Sequence, residues 1–386
     1  MDRIKKSFLS LSIVSFLLFV GCKEDVENEV TGFSLESIKV PEGNSLNSQT
    51  LIVQVKGTLQ SDITVSYQVK ERTAKFDQDL KSTSGEITLL ANQPTAQVAV
   101  EILGDEHLEL TESFDLVINY EGEEYPLTVE IADDDSMEEL LISSTGFYTS
   151  NIHPSMQLVW SDDFSGTQLN MNNWTYELGN GCSVGVCGWG NNELESYTSD
   201  PSNIFVANGA VTIKALNNAG SYTSARIKTQ GKVNLQYGRI DVRAKLPYGQ
   251  GIWPAIWMLG EKITSVNWPA CGEIDIMELV GHEPQRVHGT VHYNNDGYKS
   301  STGSTSLASG DFSDQFHVFT IIWEKNKITW YVDNKSFKSF ETTVATFNNP
   351  FFFILNVAVG GNWPGPPNAS TSFPQEMIVD YIRVFQ

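Results

Sequence analysis

The chain has 386 residues, enough for two or three domains, and its formal net charge is -22. That charge argues against nucleic acid and against an anionic membrane surface as partners. It is also uneven: residues 23–139 carry 26 acidic against 7 basic side chains, a net of -19, while residues 140–386 carry 20 against 15, a net of -5. A uniform acidic adaptation would spread the charge, so the split points to two domains of different character. Strand-like runs separated by Gly, Asn, Asp and Pro recur throughout, without long helical periodicity, and the fold class expected is all-β.

Residues 1–22 read as a targeting segment. Arg3, Lys5 and Lys6 form a positive head, and the apolar core that follows is too short to span a bilayer. The ending Leu18, Phe19, Val20, Gly21, Cys22 resembles a bacterial lipobox, with Phe19 in place of the usual Leu. That resemblance implies cleavage before Cys22, lipidation of Cys22 and attachment to a membrane by acyl chains rather than by a span. An ordinary signal peptide with an incidental cysteine is the rival reading. Lys23, Glu24 and Asp25 are similar to the acidic export signal of surface lipoproteins in Bacteroidetes-type bacteria, which implies an outer-membrane lipoprotein on the cell surface of a Gram-negative organism. Residues 23–31 read as a tether.

Residues 32–135 read as a small immunoglobulin-like β-sandwich. Short strands are expected at 37–43, 51–55, 63–67, 87–90, 96–102, 114–118 and 127–131, several with clean alternation of apolar and polar residues. The order of Pro41, Glu42 and Gly43, then Thr73 and Ala74 before Asp77 and Asp79, then Asp105, Glu106, Glu109 and Glu112, then Asp133, Asp134 and Asp135, resembles a Calx-β domain. In that family, clustered acids at one end can hold calcium, and oxygen ligands in this number suit Ca²⁺. The other reading is a solvated acidic patch on a spacer. Residues 136–153 have little pattern and are expected to be a linker.

Residues 154–386 form one β block too long for an immunoglobulin-type sandwich. Strands are expected at 210–215, 237–244, 286–293, 316–324, 328–332, 351–359 and 377–385, and a two-sheet jelly roll with one concave, ligand-facing sheet fits best. Trp189, Trp253, Trp257, Trp268 and Trp363 lie beside or close to Gly, Asn or Pro, where an indole can stack on a pyranose ring. The spacing of Trp253 and Trp257 keeps both on one strand face. Trp174, Trp323 and Trp330 read as core residues.

The stretch Glu273, Ile274, Asp275, Ile276, Met277, Glu278 sets three carboxylates among large apolar residues that favour a strand. Alternation puts Glu273 and Asp275 on one face, and a regular strand would turn Glu278 to the other. A bulge at Ile276 and Met277 returns Glu278 to its partners. Mutual repulsion then pushes the pKa values apart, which suits cleavage of a glycosidic bond by one attacking carboxylate and one protonating acid. A solvated acidic edge strand is the bland alternative.

The surrounding residues decide between the two. Trp189, Gly190, Asn191, Asn192, Glu193; Ala225, Arg226, Ile227; Gly251, Ile252, Trp253, Pro254, Ala255, Ile256, Trp257; Trp268, Pro269, Ala270, Cys271, Gly272; and Gly360, Gly361, Asn362, Trp363, with the acidic stretch, resemble the laminarinase type of family 16 glycoside hydrolases. The resemblance covers nearly the whole second domain. It implies Glu273 as nucleophile, Glu278 as acid and then base, Asp275 as the group that holds and tunes the pair, and His292 beside them. It further implies Asn192, Arg226, Trp253, Trp257 and Trp268 as lining of the glycone subsites, with Trp363 near the cleft. Catalysis needs no cofactor on this reading. A structural calcium on the convex side would take the Gly209 carbonyl and Asp380, with Asp163 as a third ligand.

The implied activity is retaining endo-hydrolysis of β-1,3-glucan such as laminarin by a monomer. Mixed-linkage β-1,3-1,4-glucan is the alternative within the class, and a non-catalytic glucan-binding lectin on the same jelly roll is the alternative outside it. Such lectins lose one or both glutamates; both are present here. Cys182 and Cys187 stand at a spacing open to a small disulfide loop in an oxidising compartment, and Cys271 reads as a small buried apolar residue.

Overall fold

In a computed structural model, residues 28–105, 109–135, 141–153, 155–341 and 343–386 are described. The targeting segment with Cys22, and Lys23, Glu24 and Asp25, lie outside them.

The N-terminal sandwich packs two sheets. One holds Glu29–Leu35, Leu46–Thr58 and Thr95–Leu103; the other runs Lys39–Pro41, Glu123–Ala132, Glu112–Tyr120, Ile63–Glu71 and Ser84–Leu89. Every strand expected from alternation is present, because β-branched residues such as Val53, Val65, Val100 and Ile118 all turn inward to one core. The strand Glu29–Leu35 corrects the tether expected over 23–31. Its acidic start disguised it, but Phe33 is buried against the edges of Tyr120 and Tyr125.

The expected linker also needs correction. Leu141–Ser143 and Gly146–Tyr148 form a hairpin that docks on the second domain. The Phe147 N–H donates to the Phe316 carbonyl at 3.0 Å, and the Thr149 N–H donates to the Tyr381 hydroxyl at 2.8 Å. Burial and these long-range bonds tie the segment down where composition suggested a free connection.

The second domain is a two-sheet jelly roll around a separate core. Its seven-stranded sheet runs Thr175–Glu177, Arg226–Lys228, Phe351–Val359, Ile252–Gly260, Glu273–Glu278, Arg286–Asn294 and Tyr298–Ser306. The opposing ten-stranded sheet has Gln375–Phe385, Gly238–Lys245, His317–Glu324 and Lys327–Val332 at its centre. Phe351–Val359 is buried at all nine positions, as a central strand covered on both faces must be. Trp174, Trp323 and Trp330 are completely buried, each with its indole N–H satisfied: by Asp162 Oδ2, the Phe347 carbonyl and the Asp275 carbonyl. Cys271 is buried too, and burial pushes its thiol up to about 11.

Candidate active site

The acidic strand is bulged. Trp257 pairs with Asp275 and Ile256 with Met277, so Ile276 is the extra residue, and on the other side the register slips between Asp275 and Glu278. Both Ile276 and Met277 sink into the core. At the bulge the Asp275 carbonyl meets the Trp330 Nε1–H of the opposite sheet at 2.8 Å. Gly289 on the neighbouring strand makes room for that indole, since a Cβ there would lie 2.4 Å from the ring.

All three carboxyls face the same side. Trp253 and Trp257 mark that face, being four residues apart on one strand. The Trp253 Nε1–H donates to Glu278 Oε1 at 3.1 Å, and the Trp268 Nε1–H donates to Glu273 Oε2 at 3.0 Å. His292, paired with Glu273 across the strands, brings Nε2 to 3.2 Å from Asp275 Oδ2 and 3.7 Å from Glu273 Oε1. Asp275 is buried, and burial holds its carboxyl well above the usual range. Burial first, and then the charge of Asp275, pushes Glu273 and Glu278 each up to about 8. The cluster therefore keeps protons near neutral pH, and it titrates as a unit rather than as three separate acids. His292 favours the charged form of both glutamates, with the indole N–H of Trp268 added at Glu273 and that of Trp253 at Glu278; the difference between them is that His292 is paired across the strands with Glu273.

The floor of the cleft continues from Trp257 to Arg226. The Trp257 Nε1–H donates to Asn356 Oδ1 at 2.8 Å. The Arg226 guanidinium lies over both indoles, 4.4 Å from the Trp189 ring centre and 4.9 Å from that of Trp257. Glu177 anchors it through Arg226 Nε at 2.5 Å and takes Lys228 Nζ at 2.6 Å. Burial alone would raise the Glu177 carboxyl; Arg226 and Lys228 outweigh it and hold the group below its usual range. Asn192 donates to Asn362 Oδ1 at 2.8 Å on the loop that carries Trp363, and Trp363 stands edge-on to Trp253 with ring centres 5.6 Å apart. By these contacts Trp268 goes with Glu273, Trp253 and Trp363 with Glu278, and Arg226 with Trp189 and Trp257, while Asn192 reaches the Trp363 loop through Asn362. Glu177 and Asn356 were not legible in the sequence, because each acts on a partner that only the sheet order brings alongside.

Cys182 and Cys187 are joined, with Cα atoms 4.0 Å apart, in the loop before Trp189. Of the calcium site expected at Gly209, Asp380 and Asp163, both aspartates have protein partners of their own. Arg243 Nη1 holds Asp380 Oδ2 at 2.5 Å, and Asp163 accepts the Ser165 N–H at 3.2 Å within its own turn. A cation there would have to compete with an arginine. Among the described residues, neither aspartate belongs to a cluster of three His, Cys, Asp or Glu side chains.

Such clusters do form at one end of the N-terminal sandwich. Glu42, Asp133 and Asp135 gather ligand atoms within 4.8 Å of one another, as do Asp79, Glu109 and Glu112. Burial, reinforced by neighbouring negative charge, raises Asp133 to about 6, Glu109 to about 7, Glu42 to about 8 and Glu112 to about 9.

Comparison with known proteins agrees with this geometry. Residues 24–142 match the Calx-beta domain profile, and residues 191–383 match that of the glycosyl hydrolases family 16. Glucan endo-1,3-beta-glucosidase A1 of Niallia circulans is 40% identical over 63% of this chain, which spans 40% of that protein's length. Beta-glucanase of Rhodothermus marinus is also 40% identical over 63% of this chain, and here 90% of the relative is covered. The crystal structure of the laminarinase catalytic domain from Thermotoga maritima MSB8 superposes with a TM-score of 0.55 at 44% identity, covering 60% of this chain and 98% of that one. With the carboxylate face, the indole donors and the jelly roll all in place, the second domain is a glycoside hydrolase and the chain belongs to the glycosyl hydrolases family 16.

Proposed function

We propose that the protein is a retaining endo-β-1,3-glucanase acting on laminarin-like glucan. The observation that carries the reading is the bulged strand: Glu273 and Glu278 share one face, and each accepts an indole N–H from a residue that itself lines the cleft. Glu273, on the His292 side, attacks the anomeric carbon as Glu278 gives its proton to the departing glycosidic oxygen. The glycosyl ester on Glu273 is then opened by water, from which Glu278 takes a proton. The names of the relatives support β-1,3-glucan as substrate. Incubation with laminarin should yield oligosaccharides of several lengths, with the first products in the β configuration by proton NMR. Release of glucose alone would sink the endo reading, and faster cleavage of mixed-linkage glucan would transfer the preference to the alternative substrate.

We place the hydrolase at a membrane surface through lipid on Cys22, as the leader pattern implies. Radiolabelled palmitate should be incorporated into the wild type and not into Cys22→Ala; equal labelling would end that assignment.

The two acidic clusters of the N-terminal sandwich are a donor set of oxygens that fits Ca²⁺, held by Glu42, Asp133, Asp135, Asp79, Glu109 and Glu112. Without a cation, the raised carboxyls stabilise the fold most when protonated. That contribution is full below the ordinary value of 4.5 for a glutamate and is lost as pH climbs through the range from about 6 to about 9. In EDTA the melting temperature of this domain should therefore fall across that range. Calcium at about 100 times its dissociation constant should add about 2.7 kcal/mol, or roughly 10–20 °C for a domain of this size. Calorimetry showing no shift with calcium would leave the clusters as solvated acid.

A further inference from the structure

We infer that Tyr298 is a positioning residue for the hydrolase, acting through the tautomer of His292. Tyr298 opens the edge strand Tyr298–Ser306 immediately after a tight turn, in which the Gly297 N–H donates to Asn294 Oδ1 at 2.9 Å. The turn places Tyr298 opposite Asn294, so its ring reaches diagonally across the strand pair to His292. The two rings stack at an angle of 13° with centres 5.9 Å apart, and the Tyr298 hydroxyl lies 2.8 Å from His292 Nδ1. Trp268 closes the group, 5.2 Å from the Tyr298 ring centre and 6.0 Å from that of His292.

The two nitrogens of His292 face different chemistry. Nε2 looks at Asp275 and Glu273, and the charge of Glu278 acts on the imidazole from further along the same strand. In the state ready for attack Glu273 is ionised and only accepts, so in the neutral imidazole that faces it the proton belongs on Nε2. Nδ1 is then the acceptor, and the Tyr298 hydroxyl donates to it. The tyrosine thereby locks the proton on the side of the catalytic acids, as a partner on one imidazole nitrogen fixes the state of the other. The exposed faces of Trp268 and Tyr298 are left beside the nucleophile.

The inference rests on the glucanase reading of the same cleft, and its test has an arm that does not require turnover. Tyr298→Phe removes one oxygen and keeps the stacked ring. The full chain, labelled with ¹⁵N-histidine, is observed by NMR, with the His292 signals assigned by their loss in His292→Gln. In the wild type, Nε2 should carry the proton and Nδ1 should be unprotonated. In Tyr298→Phe the two nitrogens should shift toward a mixture of tautomers. On laminarin, kcat should fall roughly three- to tenfold, the scale of one net hydrogen bond, with KM nearly unchanged. A wild-type proton on Nδ1, or identical histidine spectra and kcat in the two proteins, would overturn the assignment. A wild type with the stated tautomer that fails to cut laminarin would support the role of Tyr298 and overturn the substrate.

Discussion

Glu273→Gln is expected to release reducing sugar from laminarin roughly five or six orders of magnitude more slowly than the wild type, the scale on which a hydrolase suffers from loss of its nucleophile. The amide is isosteric, and Trp268 can still approach it, so the fold and the cleft should persist. What disappears is the anion that forms the glycosyl ester. Glu278→Gln should behave differently. Losing a general acid and base costs about 10²- to 10⁴-fold, and the loss depends on the leaving group. An activated aryl glucoside departs without a proton, so the Glu278 variant should form its ester and then stall for want of a base. Azide needs no base, and it should restore turnover in this variant with a β-glycosyl azide as product. In the Glu273 variant azide can enter only from the opposite face, giving the α-azide. The α-azide from the Glu278 variant with the β-azide from the Glu273 variant would show that the two glutamates have been assigned the wrong way round, and one azide product from both would show that they share one role.

Trp330→Ala should be the most damaging substitution away from the cleft. The side chain is fully buried between the sheets, and its loss leaves a cavity costing about 3–5 kcal/mol. For a domain of this size that lowers the melting temperature by roughly 6–20 °C. It also takes away the indole N–H that the Asp275 carbonyl accepts at the bulge. Trp330→Phe separates the two effects, because the smaller ring fills most of the space but has no N–H. Its expected cost is about 1–3 kcal/mol, that of a buried unsatisfied acceptor, together with a fall in kcat as the backbone at Asp275 relaxes. Thermal denaturation of the Phe variant indistinguishable from wild type would remove the indole bond from the account of why the bulge is stable.

Much of this was legible in the chain. Alternation located all but the first strand of the N-terminal sandwich and the main buried strands of the second domain but not edge strands such as Tyr298–Ser306 and Lys335–Glu341, and one hexad carried three carboxyls together with the demand for a bulge. The failures have a common physical origin. Residues 29–31 follow the acidic run of Glu24, Asp25 and Glu27 and read with it as a tether, and only the sheet shows that Phe33, two residues on, has aromatic neighbours waiting for it. Residues 141–148 have no internal reason to be ordered; the reason is Phe316, far along the chain. Asp380 read as a cation ligand, and its partner in the structure is Arg243, 137 residues earlier in the chain and on the neighbouring strand. Glu177 orients Arg226 from a strand of three residues, too short to leave a pattern. Local periodicity reports what a segment can be, and long-range pairing decides which charges meet.

The guanidinium lodged against Trp189 and Trp257 gives the glucan path a direction. The Trp257 face toward Arg226 is already covered by the cation. Across the sheet the floor runs from that guanidinium, through Asn356 and Trp257, to the three carboxyls, so a glucan laid along it meets positive charge toward one end and acid toward the other.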